Sequence, residues 1–312
     1  MRKKKVLIAA PVHQILTQGL ADAGYELVIS KNITQQLALE LMQDCSGVVT
    51  STRLQLDKEL IDAAADLKWI GRMGSGMEVI DVAYATAKGI KCFSSPEGNC
   101  NAVAEHAVGM LLSLTKRITW SHNELIKGKW LREENRGVEL EGKTIGIIGL
   151  GHTGRAFAKK LSGFDMRILA YDKYNRTDFP SYVEQCDSLQ PIFDEAEIVS
   201  FHVPLQDDTF HYFDSEFVRT MKRPFILVNT SRGAIVDTNI LFNSIREKKV
   251  IGACLDVVEG EPFSAMNEQQ NNVFNQLLQL PEVLATPHIA GYSYQALFKM
   301  SKALLGKIVF FS

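Results

Sequence analysis

Three side chains late in the sequence have the types that proton and carboxylate chemistry needs, and each follows a different apolar run. They are Arg232 after residues 225–229, Glu261 after residues 251–256, and His288 after residues 283–286. An imidazolium can donate the proton that a developing alkoxide requires. A carboxylate can hold that imidazole and raise its pKa, and a guanidinium fork can bind a carboxylate beside a carbonyl. The set predicts reduction of a ketone that carries a carboxylate, with Glu259 as a second candidate for the acid.

A glycine-rich turn lies between a strand-like run and a helix-like run in the middle of the sequence. Residues 144–148 lead into a G-x-G-x-x-G pattern formed by Gly149, Gly151 and Gly154, with His152 and Thr153 before the last glycine. The first glycine permits a tight turn, the second lets the backbone approach a pyrophosphate, and the third lets strand and helix pack closely. The pattern therefore predicts a pyrophosphate at the start of the following helix.

An acid follows the next strand-like run. Asp172 comes directly after residues 167–171, at about the 20-residue spacing expected for the carboxylate that binds an adenosine ribose. A carboxylate there accepts hydrogen bonds from the 2′-hydroxyl and repels a 2′-phosphate, so the sequence predicts NAD rather than NADP. Lys173 and Arg176 follow closely, and their charges would weaken that preference.

Short apolar runs alternate with longer amphipathic stretches, the order typical of parallel sheets covered by helices on both faces. Predicted strands are 6–10, 26–29, 48–50, 69–73, 144–148, 167–171, 198–202, 225–229, 251–256 and 283–286. Predicted helices are 15–23, 34–42, 58–65, one long helix at 101–127, 154–162, 215–221, 237–248 and 293–311. The predicted fold class is α/β with two doubly wound parallel sheets, and the last six strands match a dinucleotide-binding unit. Because carboxyl ends of parallel strands share one edge, Arg232, Glu261 and His288 are expected in one crevice.

The composition is that of an ordinary globular protein long enough for two domains. The 312 residues are 46% hydrophobic and 22% charged, with a formal net charge of −2. This balance argues against binding to nucleic acid, and no apolar stretch reaches the roughly 20 residues of a membrane span. The five cysteines are scattered without metal-ligand spacing, which predicts reduced thiols, a cytoplasmic location and no metal site.

Six motifs together resemble the D-2-hydroxyacid dehydrogenase family, which includes 3-phosphoglycerate dehydrogenases and glyoxylate/hydroxypyruvate reductases, over nearly the whole chain. They are residues 72–76, 101–106, 149–154, 228–233, 255–257 with 261–262, and 287–291. The resemblance implies NAD as cofactor and a small D-2-hydroxy acid or 2-keto acid as substrate. It implies that Arg232 binds substrate and that His288 is the general acid/base. It places the orienting acid directly before the proline, which selects Glu261 over Glu259.

The resemblance also implies the other contacts of the site. Substrate contacts are expected from Arg53 and from the N–H groups around Gly74, Ser75 and Gly76, where the glycines are consistent with an anion-binding nest. Cofactor contacts are implied at Ser75, Gly149, Gly151, His152, Thr153, Gly154, Asp172, Val203, Pro204, Thr230, Ser231, Asp256, His288 and Gly291. Met77 and Glu78 depart from the family pattern, which leaves the substrate shape open.

The family architecture implies two domains. A discontinuous, flavodoxin-like substrate domain would comprise residues 1–98 and 291–312, with a Rossmann NAD-binding domain at 99–290 inserted into it. The helix predicted at 101–127 would form a homodimer interface. No counterpart of the regulatory domain of longer phosphoglycerate dehydrogenases is expected, and therefore no serine feedback site.

Two other functions stay open. D-3-phosphoglycerate is an alternative substrate, because Ser51, Thr52, Arg53 and Arg72 could line a phosphate pocket, although they could equally be a loop cap and surface charges. An NAD-sensing scaffold similar to the C-terminal-binding-protein corepressors would keep the same three residues, so only turnover separates it from an enzyme. Formate dehydrogenases share the fold, but that resemblance would place Gln where Glu261 stands.

Overall fold

The computed structural model describes residues 4–30, 32–174 and 177–311. They form two compact units. The N-terminal unit runs to Cys100 and resumes at Tyr292, and the central unit is Asn101–Gly291. Each unit contains one sheet, and all paired strands are parallel. The predicted α/β fold with two doubly wound parallel sheets is confirmed.

The described part of the N-terminal unit has five strands in the order β2-β1-β3-β4-β5, which is the flavodoxin-like order. The strands are β1 (Lys5–Ile8), β2 (Glu26–Ile29), β3 (Cys45–Thr50), β4 (Trp69–Arg72) and β5 (Lys91–Phe93). The helices between them are α1 (Gln14–Asp22), α2 (Gln35–Leu41), α3 (Lys58–Asp62) and α4 (Val82–Ala87). β3 is buried along its whole length, as expected of a central strand covered on both faces.

The segment predicted as one helix at 101–127 is two helices, α5 (Pro96–Thr115) and α6 (Ile118–Ile126). The chain breaks at Arg117, whose φ of 53° lies in the left-handed region. The Thr115 carbonyl accepts a hydrogen bond from Val138 N at 2.8 Å. Capture of a last-turn carbonyl by a distant segment helps to end a helix. Because apolar spacing continues across the break, periodicity could not reveal it.

Within the described residues, the central unit has seven strands in the order β12-β11-β10-β9-β6-β7-β8. They are β6 (Thr144–Ile148), β7 (Arg167–Tyr171), β8 (Glu184–Cys186), β9 (Ile198–Phe201), β10 (Phe225–Asn229), β11 (Val250–Leu255) and β12 (Val283–Ala285). The remaining helices are α7 (His152–Leu161), α8 (Gln190–Glu195), α9 (Ser215–Thr220), α10 (Thr238–Arg246), α11 (Glu268–Leu278) and α12 (Tyr294–Phe311). Strand order reverses between β6 and β9, the kind of switch point where α/β sheets bind ligands.

Five elements of the described chain were absent from the sequence prediction: β5, α4, β8, α8 and α11. The strands among them are three residues long and lie at sheet edges, so they carry little apolar pattern. α11 begins with a capping box, in which Asn267 Oδ1 accepts from Gln270 N and Gln270 Oε1 accepts from Asn267 N. That N-x-x-Q signal is visible in the sequence and could have predicted the helix.

The last helix, α12, packs on the sheet of the N-terminal unit. Leu304 and Ile308 are fully buried there, and His13 N donates to Ser301 Oγ at 3.0 Å. None of the helices in the described ranges has the length and apolarity needed to cross a membrane.

Candidate active site

The glycine turn of the central unit connects β6 to α7. Gly149 has a φ of 92°, and a Cβ there would come within 2.6 Å of the His202 carbonyl oxygen. A Cβ at Gly154 would come within 2.1 Å of the Gly149 carbonyl oxygen. A Cβ at Gly151 would meet nothing within 4 Å. Two glycines are therefore required by internal packing, whereas the backbone at Gly151, directly before α7, is open to a ligand.

Asp172 lies against this turn. Its Oδ2 accepts a hydrogen bond from Leu150 N at 2.8 Å, and its Oδ1 accepts one from Tyr174 N at 3.0 Å. The neighbouring Lys173 forms an ion pair with Asp208. Arg176, the other cation expected here, lies outside the described residues. The carboxylate of Asp172 thus lies beside the turn, where it could accept hydrogen bonds from the hydroxyl groups of a bound ribose.

Two buried polar atoms on the same sheet edge have no hydrogen-bond partner among the described residues. They are Nδ1 of His202, after β9, and Oγ1 of Thr230, after β10. The His202 Nε2 pairs with Ser200 Oγ at 2.8 Å, and burial lowers the pKa of His202 to about 3, so the ring is neutral. Because buried polar atoms are nearly always hydrogen-bonded, these two atoms and the open backbone at Gly151 fit a dinucleotide along this edge.

The other residues expected to contact the cofactor lie at defined places in the central unit. Val203 packs on the turn, since a Cβ at Gly149 would come within 2.9 Å of Val203 Cγ1. His152 and Thr153 begin α7. Pro204 is exposed after β9, and Gly291 ends the unit.

His288 and Glu261 form a hydrogen-bonded pair. His288 Nδ1 is bonded to Glu261 Oε1, and the other carboxylate oxygen, Oε2, accepts from Val258 N at 3.0 Å. The structure thus pairs Glu261 with the imidazole. Glu259 is bonded instead to His211 Nε2, at 2.7 Å.

The surroundings of His288 favour its charged form. The hydrogen bond that His288 donates to Glu261 is the largest cause of the raised pKa of His288, and the negative charge of Asp256 adds to it. Burial and the positive charge of Arg232 act in the opposite direction. A Cβ at Gly233, directly after Arg232, would come within 2.0 Å of the Val258 carbonyl oxygen, so the turn that carries Arg232 lies against the segment that carries Glu261.

Asp256 supports the loop that carries His288. Its carboxylate is almost fully buried and accepts hydrogen bonds from Thr286 Oγ1 at 2.6 Å, Ile289 N at 2.8 Å and Ala290 N at 2.8 Å. These bonds hold the residues on both sides of His288, whose backbone has an unfavourable φ of 55°.

The turn that carries Arg232 is organised by Asn229, the last residue of β10. Asn229 Oδ1 accepts from Ser231 N at 3.1 Å and from Ser231 Oγ at 2.8 Å. Asn229 Nδ2 donates to the Arg232 carbonyl oxygen at 2.9 Å. The Arg232 side chain itself folds so that Nη1 donates to the Ser231 carbonyl oxygen at 2.6 Å.

The expected substrate residues Arg53, Gly74, Ser75 and Gly76 lie in the N-terminal unit. Arg53 is exposed after β3, and Ser75 is exposed after β4. Gly74 has a φ of 144°, and its N–H donates to Ser95 Oγ at 3.1 Å and to Arg72 O at 3.0 Å. The Gly74 N–H is therefore already hydrogen-bonded within the unit. Of the three predicted N–H groups, those of Ser75 and Gly76 remain as candidates for binding an anion.

Similarity to known proteins identifies the family of the chain. Residues 108–290 match the family model described as D-isomer specific 2-hydroxyacid dehydrogenase, NAD binding domain. The chain belongs to the D-isomer-specific 2-hydroxyacid dehydrogenase family. The predicted family and the prediction of NAD as the cofactor are thereby confirmed.

Relatives whose names point to different substrates resemble this chain. A hydroxypyruvate reductase from Thermotoga maritima is 34% identical, over 99% of this chain and 98% of its own. A D-3-phosphoglycerate dehydrogenase from Methanocaldococcus jannaschii is also 34% identical over 94% of this chain, which spans only 54% of that relative's length. The D-lactate dehydrogenase from Aquifex aeolicus, solved with NAD and lactic acid, has a TM-score of 0.84 at 25% identity, covering 99% of this chain and 95% of its own.

Sequence reasoning missed the residues that support the site of this dehydrogenase. In the sequence, Asn229 is only part of a motif and Thr286 only the end of a predicted strand, and nothing there gives a role to His106, whose Nε2 lies 2.9 Å from Thr286 Oγ1. A polar residue ending an otherwise apolar strand is a usable signal for Asn229. No local signal connects His106 to Thr286, because they are far apart in sequence.

Proposed function

We propose that this dehydrogenase reduces a small 2-keto acid to the D-2-hydroxy acid with NADH, and catalyses the reverse reaction with NAD. The hydrogen bond between His288 and Glu261 is the observation that carries the proposal. The turn that carries Arg232 packs against the segment that carries Glu261, and Arg232 would supply a cation for the substrate carboxylate.

The pairing of His288 defines the direction of proton transfer. Glu261 occupies Nδ1, so Nε2 is the nitrogen that holds the exchangeable proton. In reduction, Nε2–H donates to the carbonyl oxygen; in oxidation, neutral Nε2 accepts the hydroxyl proton. Arg232 binds the substrate carboxylate and polarises the adjacent carbonyl. Bound NADH supplies the hydride.

Residues of the glycine turn and the neighbouring strand ends hold the cofactor in this proposal. The backbone of Gly151, His152 and Thr153 would bind the pyrophosphate, and Asp172 would bind the ribose. Contacts nearer the nicotinamide are assigned to Val203, Pro204, Thr230, Ser231, Asp256, His288 and Gly291. The unpartnered Thr230 Oγ1 supports this assignment.

The N-terminal unit carries the other residues that we propose for substrate binding. We assign residues 1–98 and 291–312 to a substrate domain and 99–290 to the NAD-binding domain. The N–H groups of Ser75 and Gly76 would bind the substrate carboxylate, and the loops around Arg53 and Met77 would select the substrate by size.

D-3-phosphoglycerate is a second candidate substrate, favoured by the similarity to the Methanocaldococcus jannaschii enzyme. The side chain of Arg72 argues against it. Arg72 is only 7% exposed, and its Nη1 donates to the Met73 carbonyl oxygen. Because the Arg72 guanidinium is buried in the protein, it is not placed to bind a phosphate group. We therefore propose unphosphorylated keto acids as the first candidates for the substrate.

Parallel assays of NADH oxidation test the proposal. Glyoxylate, hydroxypyruvate, pyruvate and phosphohydroxypyruvate are compared at equal concentration, with chiral chromatography of the product. We expect one of the first three to be turned over fastest, and we expect hydroxypyruvate and pyruvate to give the D isomer; glycolate, the product from glyoxylate, is achiral. Preference for phosphohydroxypyruvate would establish the second candidate. NADH binding without turnover of any keto acid would indicate an NAD-sensing scaffold and refute the enzyme proposal.

We also propose that a second copy of the chain covers α6. Apolar residues of α5, such as Met110 and Leu111, are buried in the central unit, but those on and after α6 are exposed: Ile118, Leu125, Ile126, Trp130 and Val138. Exposed apolar patches of this kind usually mark an interface. Sedimentation velocity should give a dimer that Ile126→Asp converts to a monomer, whereas Ile29→Asp, at an exposed position in β2, should not. A monomeric wild-type protein would refute the interface.

The proposed location is the cytoplasm, where thiols stay reduced. All five cysteines are free, and Cys45, Cys186 and Cys254 are buried. Recovery of activity in the membrane or secreted fraction would contradict this location.

A further inference from the structure

A second imidazole–carboxylate pair lies in the central unit. Its acid, Glu259, stands two residues before Glu261, the acid of the first pair. Glu259 Oε1 pairs with His211 Nε2 at 2.7 Å, and Oε2 accepts from Thr238 Oγ1 at 3.1 Å and Thr238 N at 3.4 Å. The Glu259 side chain is 17% exposed. Because both of its oxygens are engaged inside the unit, this acid is not placed to exchange protons with a substrate.

We propose that Glu259 is a positioning residue, which anchors residues 257–261 through His211 and Thr238 and so keeps Glu261 aligned on His288. This inference rests on the function proposed above. Glu259 was the second candidate for the acid that orients His288, and the proposal gives it a different role.

The anchor joins three separate parts of the unit. His211 lies in the loop after β9, where its N–H donates to the Ala234 carbonyl oxygen at 2.8 Å and its ring stacks on Phe210 at 4.1 Å between centroids. Thr238 is the first residue of α10. Asp237, which caps α10, places Oδ2 at 3.7 Å from His211 Nδ1. Loss of the Glu259 carboxylate would release the 257–261 segment from both the loop and the helix.

Val258 connects the segment held by Glu259 to Glu261 and to the turn that carries Arg232. Its N–H donates to Glu261 Oε2 at 3.0 Å. A Cβ at Gly233, the residue after Arg232, would come within 2.0 Å of the Val258 carbonyl oxygen, so the Arg232 turn packs directly on this peptide. Displacement of Glu259 would therefore disturb the orientation of Glu261 and the packing of the Arg232 turn together.

Titration of His288 reports the alignment without substrate. The charged groups that act on His288 are Glu261, Asp256 and Arg232. A loosened Glu261 would weaken the largest of these effects, so the measured pKa of His288 should fall towards that of an ordinary histidine. A purely structural role for Glu259 would lower stability but leave this titration unchanged.

The experiment compares Glu259→Ala, Glu259→Gln and His211→Gln with a matched control, Glu247→Gln, at an exposed position after α10. The His288 titration is followed by NMR of the histidine ring protons, assigned with a His288→Gln variant. Steady-state kinetics with the best keto acid and a thermal melt accompany it.

For Glu259→Ala we expect a lower pKa of His288, a kcat reduced at least about tenfold, and an unchanged KM for NADH, because a small misplacement near the reacting groups is costly. Glu259→Gln keeps an acceptor for Thr238. The pKa of His288 and the kcat of this variant should therefore lie between those of Glu259→Ala and the wild-type protein. Glu247→Gln should match the wild-type protein.

An unchanged His288 titration and kcat in folded Glu259→Ala would overturn the proposal. If that variant does not fold, unchanged values in both Glu259→Gln and His211→Gln would do so. Absence of turnover by the wild-type protein would refute the proposed function instead, and the titration would still decide the role of Glu259.

Discussion

The backbone carbonyl of Asp256 accepts a hydrogen bond from the N–H of His288 at 2.8 Å, which ties the residue after β11 to the loop after β12. The His288 backbone is in the left-handed region, at a cost of roughly 1–2 kcal/mol for a residue with a side chain. Three hydrogen bonds to the Asp256 carboxylate offset that strain. A strained backbone held by its surroundings is typical of functional positions.

Asp256→Asn should destabilise the protein. One carboxylate oxygen becomes an NH2 group that faces a donor, and buried N–H groups lose their acceptor. We expect the free energy of unfolding in urea to fall by about 2–3 kcal/mol. Thr286→Val removes one donor to the same carboxylate and should cost about 1 kcal/mol. Equal stability of Asp256→Asn and the wild-type protein would contradict the supporting role of this acid.

His288→Gln should separate catalysis from cofactor binding. Loss of the general acid is expected to lower kcat for keto acid reduction by about 10²–10⁴-fold. The Kd for NADH, measured by fluorescence titration, should rise by less than about tenfold, since the glycine turn and Asp172 are untouched and only one of the proposed nicotinamide contacts is altered. Lys222→Gln, at an exposed position after α9, serves as control. Full turnover in His288→Gln would remove the imidazole from the mechanism.

Glu261→Gln should shift the pH dependence of the reaction. The Glu261 carboxylate raises the pKa of His288, so the proton-donating imidazolium persists to higher pH in the wild-type protein. With Gln the pKa falls, and the alkaline decline of kcat for reduction should begin at lower pH. Oxidation needs the neutral imidazole, so its acidic limb should move to lower pH as well. Profiles that coincide with those of the wild-type protein would show that Glu261 does not control this proton.

Asp172→Asn should relax cofactor preference. Asn keeps an acceptor for Leu150 N but removes the negative charge that repels a 2′-phosphate. We expect the NADPH/NADH ratio of kcat/KM to rise by about tenfold, which corresponds to about 1.4 kcal/mol. Affinities of the apoenzyme for 2′,5′-ADP and ADP, measured by calorimetry, should change in the same direction. The exposed Asp187→Asn is the control, and an unchanged ratio would refute the charge argument.

The apolar pattern predicted most of the central sheet, because buried parallel strands read as continuous runs. β6, β7 and β10 have the predicted bounds. The apolar pattern did not predict the break between α5 and α6 at Arg117, because that boundary depends on contacts with a distant segment. It also did not predict β8, a short strand at the edge of the sheet. It also could not show that Gly74 N–H is already bonded to Ser95 Oγ.

The sequence by itself determined the family and the parallel α/β architecture, because strand patterns and glycine spacing are local properties, and it predicts Arg232, Glu261 and His288 as the catalytic residues. The tertiary structure decided which acid pairs with which imidazole, since Glu259 and Glu261 are only two residues apart. Their side chains take separate directions, one to His211 and one to His288. That choice depends on contacts with loops distant in the chain, which no local pattern encodes.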